Sequence, residues 1–186
     1  MTKTKKSIYR IAECAVFIAL AAALTYVEIQ VGGLGGSINF VMIPLFIMCY
    51  RNGAKYSLVA CTVFGFIKCI LGGSLGYGLP SILLDYVLAY GVCGVAGFFK
   101  GKPKFIELAA LLGCIARFGI HFISGITLYA ITGPTAVEGT NLVLSAPVLF
   151  SLVYNGLYMI PDTIIAVVGM AILHYPLMKL DKTLPS

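Results

Sequence analysis

Apolar residues run through this chain in blocks as long as a bilayer is thick, separated by short polar segments. The blocks cover Ile11–Ile29, Ala54–Leu71, Pro80–Phe99, Phe105–Ile131 and Pro147–Tyr175, with a shorter one at Ser37–Tyr50. A helix rises about 1.5 Å per residue, so about 20 apolar residues cross a hydrocarbon core of about 30 Å. The pattern predicts an all-α, polytopic membrane protein with six transmembrane helices. No polar stretch is long enough to fold separately, so residues 1–186 read as a single integral-membrane domain.

The linkers alternate in charge. The N-terminal segment (Lys3, Lys5, Lys6, Arg10), Arg51–Lys55, Lys100–Lys104 and the tail with Lys179 and Lys182 are basic. Gly32–Gly36 and Gly72–Gly78 carry no charge, and Thr132–Ala146 carries only Glu138. Cytoplasmic loops retain Lys and Arg, so the alternation predicts both termini in the cytoplasm. The basic start imitates a secretory signal, but its apolar run continues past Ala21–Ala23 and reads as the first span. These flanks account for the formal net charge of +6. They suit anionic lipid headgroups rather than nucleic acid.

Sixty per cent of the residues are hydrophobic and 11% are charged, which makes motif absences informative. Cys14, Cys49, Cys61, Cys69, Cys93 and Cys114 form no C-x-x-C pair, and all but Cys49 lie within apolar runs. They read as small buried hydrophobes. There is no Walker A loop, no H-E-x-x-H and no G-x-S-x-G around Ser124. Nothing here supports ATP capture by that loop, a metal site, a cofactor or an enzyme.

Against this background the ionisable groups Glu28, Lys68, Asp85, Arg117, His121 and Asp162 stand out. Each is costly in lipid and is expected to face the protein interior or a water-filled cavity. Arg117, His121 and Ser124, at i, i+4 and i+7, share one face of the fifth span, with Gly125 beside them. Ser151, Asn155, Tyr158 and Asp162 share a face of the sixth. The two faces are expected to bury against each other. At mid-depth, Arg117 and Asp162 can form a structural ion pair or serve a ligand. The topology places Asp85, Tyr86, His121, Tyr129, Tyr154 and Asn155 in the outer half. An anion among aromatic rings there suits a planar, cationic or amine-bearing ligand, held by stacking, cation–π contact and carboxylate hydrogen bonds.

Other polar positions read more plainly. Tyr9, Tyr50 and Tyr175 fit an interfacial belt. Lys68 can snorkel outward, and Glu28 sits at the interface. The uncharged glycine-rich loops suit either a gate or ordinary linkers. Ala15, Ala19 and Ala23 form a stripe on the first span against which another helix can pack closely.

Three local stretches carry a resemblance: Leu84-Asp85-Tyr86, Arg117-Phe118-Gly119-Ile120-His121-Phe122-Ile123-Ser124-Gly125 and Tyr154-Asn155-Gly156. With the alanine stripe, the basic N-terminus and the order of spans, they resemble the substrate-binding (S) components of energy-coupling factor (ECF) vitamin transporters, in particular the thiamine-specific ones. The resemblance covers nearly the whole chain. It implies a multi-pass subunit of a bacterial cytoplasmic membrane that captures thiamine from outside and has no transport activity alone. It also implies partners: a transmembrane coupling protein meeting Ala15, Ala19 and Ala23, and two ATPases whose hydrolysis of ATP drives toppling and release. It implies ligand contacts from Asp85, Tyr86, Arg117, His121, Gly125, Tyr129 and Asn155. Tyr154 joins this set through the residue pattern above.

The chain departs from that family in the residues that hold the rings. It has no tryptophan. Tyr129 and Leu34 stand where tryptophans are expected, Asp85 replaces a longer Glu, and Arg117 replaces a Lys. A thiamine precursor or another amine-bearing heterocycle stays open as the ligand. A stand-alone proton-coupled transporter using Arg117 and Asp162, a membrane enzyme using His121 and Ser124, and a purely structural subunit are the rival classes.

Overall fold

The computed structural model describes residues 2–31, 36–132 and 146–183, without the side chains at 77, 128–132 and 180–183. In chain order it has α1 (Lys3–Leu24), β1 (Glu28–Val31), β2 (Gly36–Asn39), α2 (Met42–Asn52), α3 (Ala54–Leu71), α4 (Leu79–Phe99), α5 (Ile106–Thr132) and α6 (Pro147–Thr183). Among the described residues, all of these helices but α2 are long and apolar enough to cross a membrane, which makes five. α2 has 11 residues and rises about 16 Å, roughly half of a hydrocarbon core.

The first helix ends before the hydropathy pattern predicts and the second begins after it, for one reason. α1 ends at Leu24, where the Thr25 hydroxyl donates to the Ala21 carbonyl at 3.2 Å. The chain then forms an antiparallel hairpin pairing Glu28 with Asn39 and Val31 with Gly36. Residues 37–39 of the expected second span are therefore strand, and the helix begins only at Met42. Hydropathy cannot separate a short apolar strand from a helix end. Asn39 makes the turn into α2, its side-chain oxygen accepting from the Val41 amide at 3.2 Å. Residues 32–35 of the glycine-rich loop and 133–145 of the long linker before the last helix fall outside the described residues.

α4 changes its winding along its length. Ile82–Leu88 is π-helical and Val92–Phe99 is 3-10. The 3-10 segment has three residues per turn, which lines up Gly94 and Gly97 with Gly91 at its start in one straight stripe. A Cβ at these positions would collide with Thr62, Leu58 and Ala54 of α3. The stripe is what lets the two backbones touch.

α5 and α6 bring their polar faces together, while Ile115, Ile164 and Ile172 stay exposed on their outer sides. An apolar exterior around a polar seam is the arrangement lipid demands. All six cysteines are free and buried.

The two ends of the bundle differ in chemistry. At one end the basic segments meet. Arg51 pairs with Glu13, Tyr56 donates to Ser7 at 3.0 Å, and Arg10 lies 5.5 Å from the Tyr56 ring centre. Gly53 abuts Lys100, and His174 approaches Glu107 at 2.5 Å. The hairpin and the Ser74–Tyr77 turn occupy the other end. α1 buries only Cys14 and Ala21, and Ala15, Ala19 and Ala23 are all exposed.

Candidate ligand-binding site

The polar cluster begins at the π-helical turn of α4. A π turn holds an extra residue and often marks a functional site. Here the turn presents Asp85. One carboxylate oxygen accepts from the Ser81 hydroxyl at 2.8 Å, and the other lies 3.1 Å from His121 Nδ1 on α5. The His121 carbonyl accepts from Asn155 Nδ2 of α6 at 3.1 Å. Asn155 Oδ1 in turn accepts from the Tyr158 hydroxyl at 2.7 Å. The Tyr158 ring stands edge-on to His121 with centres 6.0 Å apart, and to Tyr154 at 5.7 Å. Three helices thus share one network, buried at His121 and Asn155 and half-buried at Asp85.

Gly125 sets how closely two of them approach. A Cβ there would fall on Ser151 Oγ, which donates to the Phe122 carbonyl at 2.7 Å. Tyr86 ties the π turn to the Ser74–Tyr77 turn by donating to Ser74 Oγ at 2.5 Å.

A second network lies one helical turn from His121 along α5. Arg117 Nη1 is 3.3 Å from Asp162 Oδ2, and its Nη2 is 3.2 Å from the Tyr90 hydroxyl. Arg117 and Asp162 are only 4% and 2% exposed. The other oxygen of Asp162 accepts from the Asn39 amide at 2.8 Å, and Tyr154 accepts from the Gly36 amide at 2.9 Å. The hairpin therefore rests on α6 directly beside the cluster. Glu28 holds its other side: it accepts from Lys68 at 2.6 Å, Ser37 at 2.8 Å and Gln30 at 2.6 Å. Lys68 is buried in this clamp rather than snorkelling, and Glu28 is its hub rather than a plain interfacial residue.

Of the residues singled out in the sequence, Asp85, His121, Gly125, Tyr154 and Asn155 come together, and Arg117 sits in the adjoining network. Tyr129 lies on α5 with its side chain outside the described residues, and Leu34 falls outside them altogether. Ser81, Ser74, Asn39 and Tyr90 were not anticipated. Ser81 carried a readable signal, four residues before Asp85 on one helix face. Asn39 and Ser74 carried none, because only tertiary folding brings their segments here. Two buried side-chain nitrogens in the cluster, His121 Nε2 and Arg117 Nε, have no hydrogen-bond partner among the described residues. No three His, Cys, Asp or Glu side chains there are placed to hold a metal.

A separate apolar groove of about 500 Å³ lies at the basic end, between α1, α2 and α6. It is lined by Val16, Phe17, Ile47 and Leu177 with the Glu13–Arg51 pair, and by no residue of the polar cluster.

Residues 11–182 match the family model described as thiamine transporter protein (Thia_YuaJ). The thiamine transporter ThiT of Bacillus subtilis is 31% identical, over 95% of this chain and 97% of that protein. ThiT of Lacticaseibacillus paracasei is 28% identical, over 90% of this chain and 88% of that protein. The solved structure of ThiT from Listeria monocytogenes superposes with a TM-score of 0.79 at 22% identity, over 94% of this chain and 98% of that one, so the two share a fold. These relatives are named as transporters and not as enzymes. A multi-pass helical chain matched over nearly its whole length belongs to the thiamine transporter protein family.

Proposed function

We propose that this chain is the substrate-binding subunit of an ECF-type importer and that it captures thiamine from outside the cell. The observation that carries the reading is the Asp85–His121–Asn155 network joining α4, α5 and α6, in a chain whose relatives are named thiamine transporters. Thiamine is an aromatic cation, and a carboxylate among aromatic rings complements its charge and its ring faces. The ligand site comprises Asp85, Tyr86, Arg117, His121, Gly125, Tyr129, Tyr154 and Asn155, with tyrosines taking the place of ring-stacking tryptophans.

The whole chain acts as one membrane domain of six crossings, the second made by the hairpin and α2 together. Both termini face the cytoplasm of a bacterial cell membrane. Gathering of the basic segments at one end of the bundle supports this orientation. The exposed stripe Ala15, Ala19 and Ala23 on α1 meets a transmembrane coupling protein, which works with two ATPases. The Arg117–Asp162 pair is occupied on both sides, by Tyr90 and by the Asn39 amide. That supports a structural role over a proton path.

Calorimetry on the purified full chain in detergent tests the reading, with thiamine run beside its separate pyrimidine and thiazole halves. Tight binding of thiamine upholds it. Binding of one half alone changes the ligand to a precursor, and binding of none removes the ligand assignment.

A further inference from the structure

Both oxygens of the Asp85 carboxylate are already engaged inside the protein, one by Ser81 and one by His121. A carboxylate only accepts hydrogen bonds, so the imidazole nitrogen facing it must carry the proton. The bond made by one ring nitrogen decides the state of the other. A neutral His121 with its proton on Nδ1 presents a bare lone pair on Nε2. That atom is buried and has no partner among the described residues, in a residue 7% exposed. Arg117 lies one turn away on the same helix face, which disfavours a second positive charge on the ring. The ring is also held from α6, by the Asn155 bond to its carbonyl and by the edge of Tyr158.

We infer that Asp85 is a positioning residue: it holds His121 as the Nδ1–H tautomer and leaves Nε2 as a buried acceptor for an N–H or O–H donor on the ligand. The donor half of this statement rests on the ligand-binding reading above; the tautomer half does not. The arrangement selects for a ligand that brings a donor, such as an aromatic amine, to Nε2. A ligand presenting a carbonyl or ring nitrogen there would set lone pair against lone pair.

The chain has two histidines, so a His174→Gln background leaves His121 as the sole reporter for 15N NMR in detergent micelles. Without ligand, the expected spectrum shows a protonated Nδ1 and a bare Nε2. Asp85→Asn keeps that tautomer, because its amide oxygen still accepts from Nδ1. Asp85→Ala releases it to a mixture. Saturating thiamine moves the Nε2 signal in the direction of an accepted hydrogen bond. A wild-type His121 protonated on Nε2, or on both nitrogens, overturns the inference. So does an Asp85→Ala spectrum identical to wild type, or bound thiamine that leaves Nε2 unmoved. The expected tautomer in a chain that binds no thiamine upholds the positioning role of Asp85 and removes the function proposed above, so the two failures are distinguishable.

Discussion

Asp162 is the residue on which most depends. It is 2% exposed, and its two oxygens answer a guanidinium on α5 and a backbone amide of the hairpin. Removing one partner of a buried pair is expensive because the other charge is left without compensation. Asp162→Ala is expected to cost about 3–5 kcal/mol, read as a lower unfolding midpoint in detergent. Asp162→Asn keeps the oxygen that accepts from Asn39 and loses the charge, so its cost falls in between. At this scale Arg117, His121 and Asp162 were legible as buried groups, since an ionisable side chain inside a lipid-length block must find protein partners. Their partners Tyr90 and Asn39 were not legible, because neither lies on the helix faces that carry the charges.

Among the elements, the hairpin is the least expected and the most consequential. It is clamped between α6, through Gly36 and Asn39, and α3, through Glu28 and Lys68. Lys68→Met removes the α3 side of the clamp and leaves Glu28 with neutral donors only. A charge-assisted hydrogen bond is worth about 1.5–3 kcal/mol, which corresponds to about 10- to 150-fold in a local opening equilibrium. Hydrogen–deuterium exchange at 28–31 and 36–39 is expected to speed up accordingly, with α5 unchanged. An exchange pattern identical to wild type would mean that α6 alone holds the hairpin. Hydropathy placed α3, α4 and α5 to within one residue at each end, whereas α1 starts and stops earlier than expected and α6 runs on to Thr183. The hairpin could not be read from it, since Glu28–Val31 and Gly36–Asn39 gain their strand conformation only by pairing with each other. The π turn at Asp85 was equally hidden, as it has no sequence signature.

For the molecule as a whole, two predictions concern its place in the membrane and in an assembly. In intact cells, a membrane-impermeant maleimide is expected to label Gln30→Cys and to reach Lys102→Cys only after permeabilisation. The six natural cysteines are buried and give little background. The reverse pattern would invert the topology. Ala19 is exposed on α1, the least buried of the membrane-length helices, so Ala19→Leu should leave thiamine binding within about twofold of wild type, as expected of a surface change. ATP-dependent uptake with the coupling protein and ATPases should fall sharply, because a bulky side chain keeps two helices apart. Uptake unchanged by Ala19→Leu would place the partner elsewhere on the surface.

The sequence by itself determined that this is a helical membrane protein, which end is basic, and which helix faces are polar. Those properties follow from transfer of single side chains between water and lipid, and that transfer is a local quantity. It also carried the seam between α5 and α6, since polar residues at helical spacing leave lipid only by meeting each other. Only the tertiary structure decided that α2 is a half-length helix preceded by a hairpin, that Lys68 and Glu28 close a clamp, and that Asp85 spends both carboxylate oxygens inside the protein. These depend on distances between residues up to 123 positions apart, as between Asn39 and Asp162. Hydrogen-bond geometry at such separations is created by packing and leaves no periodic trace in the chain.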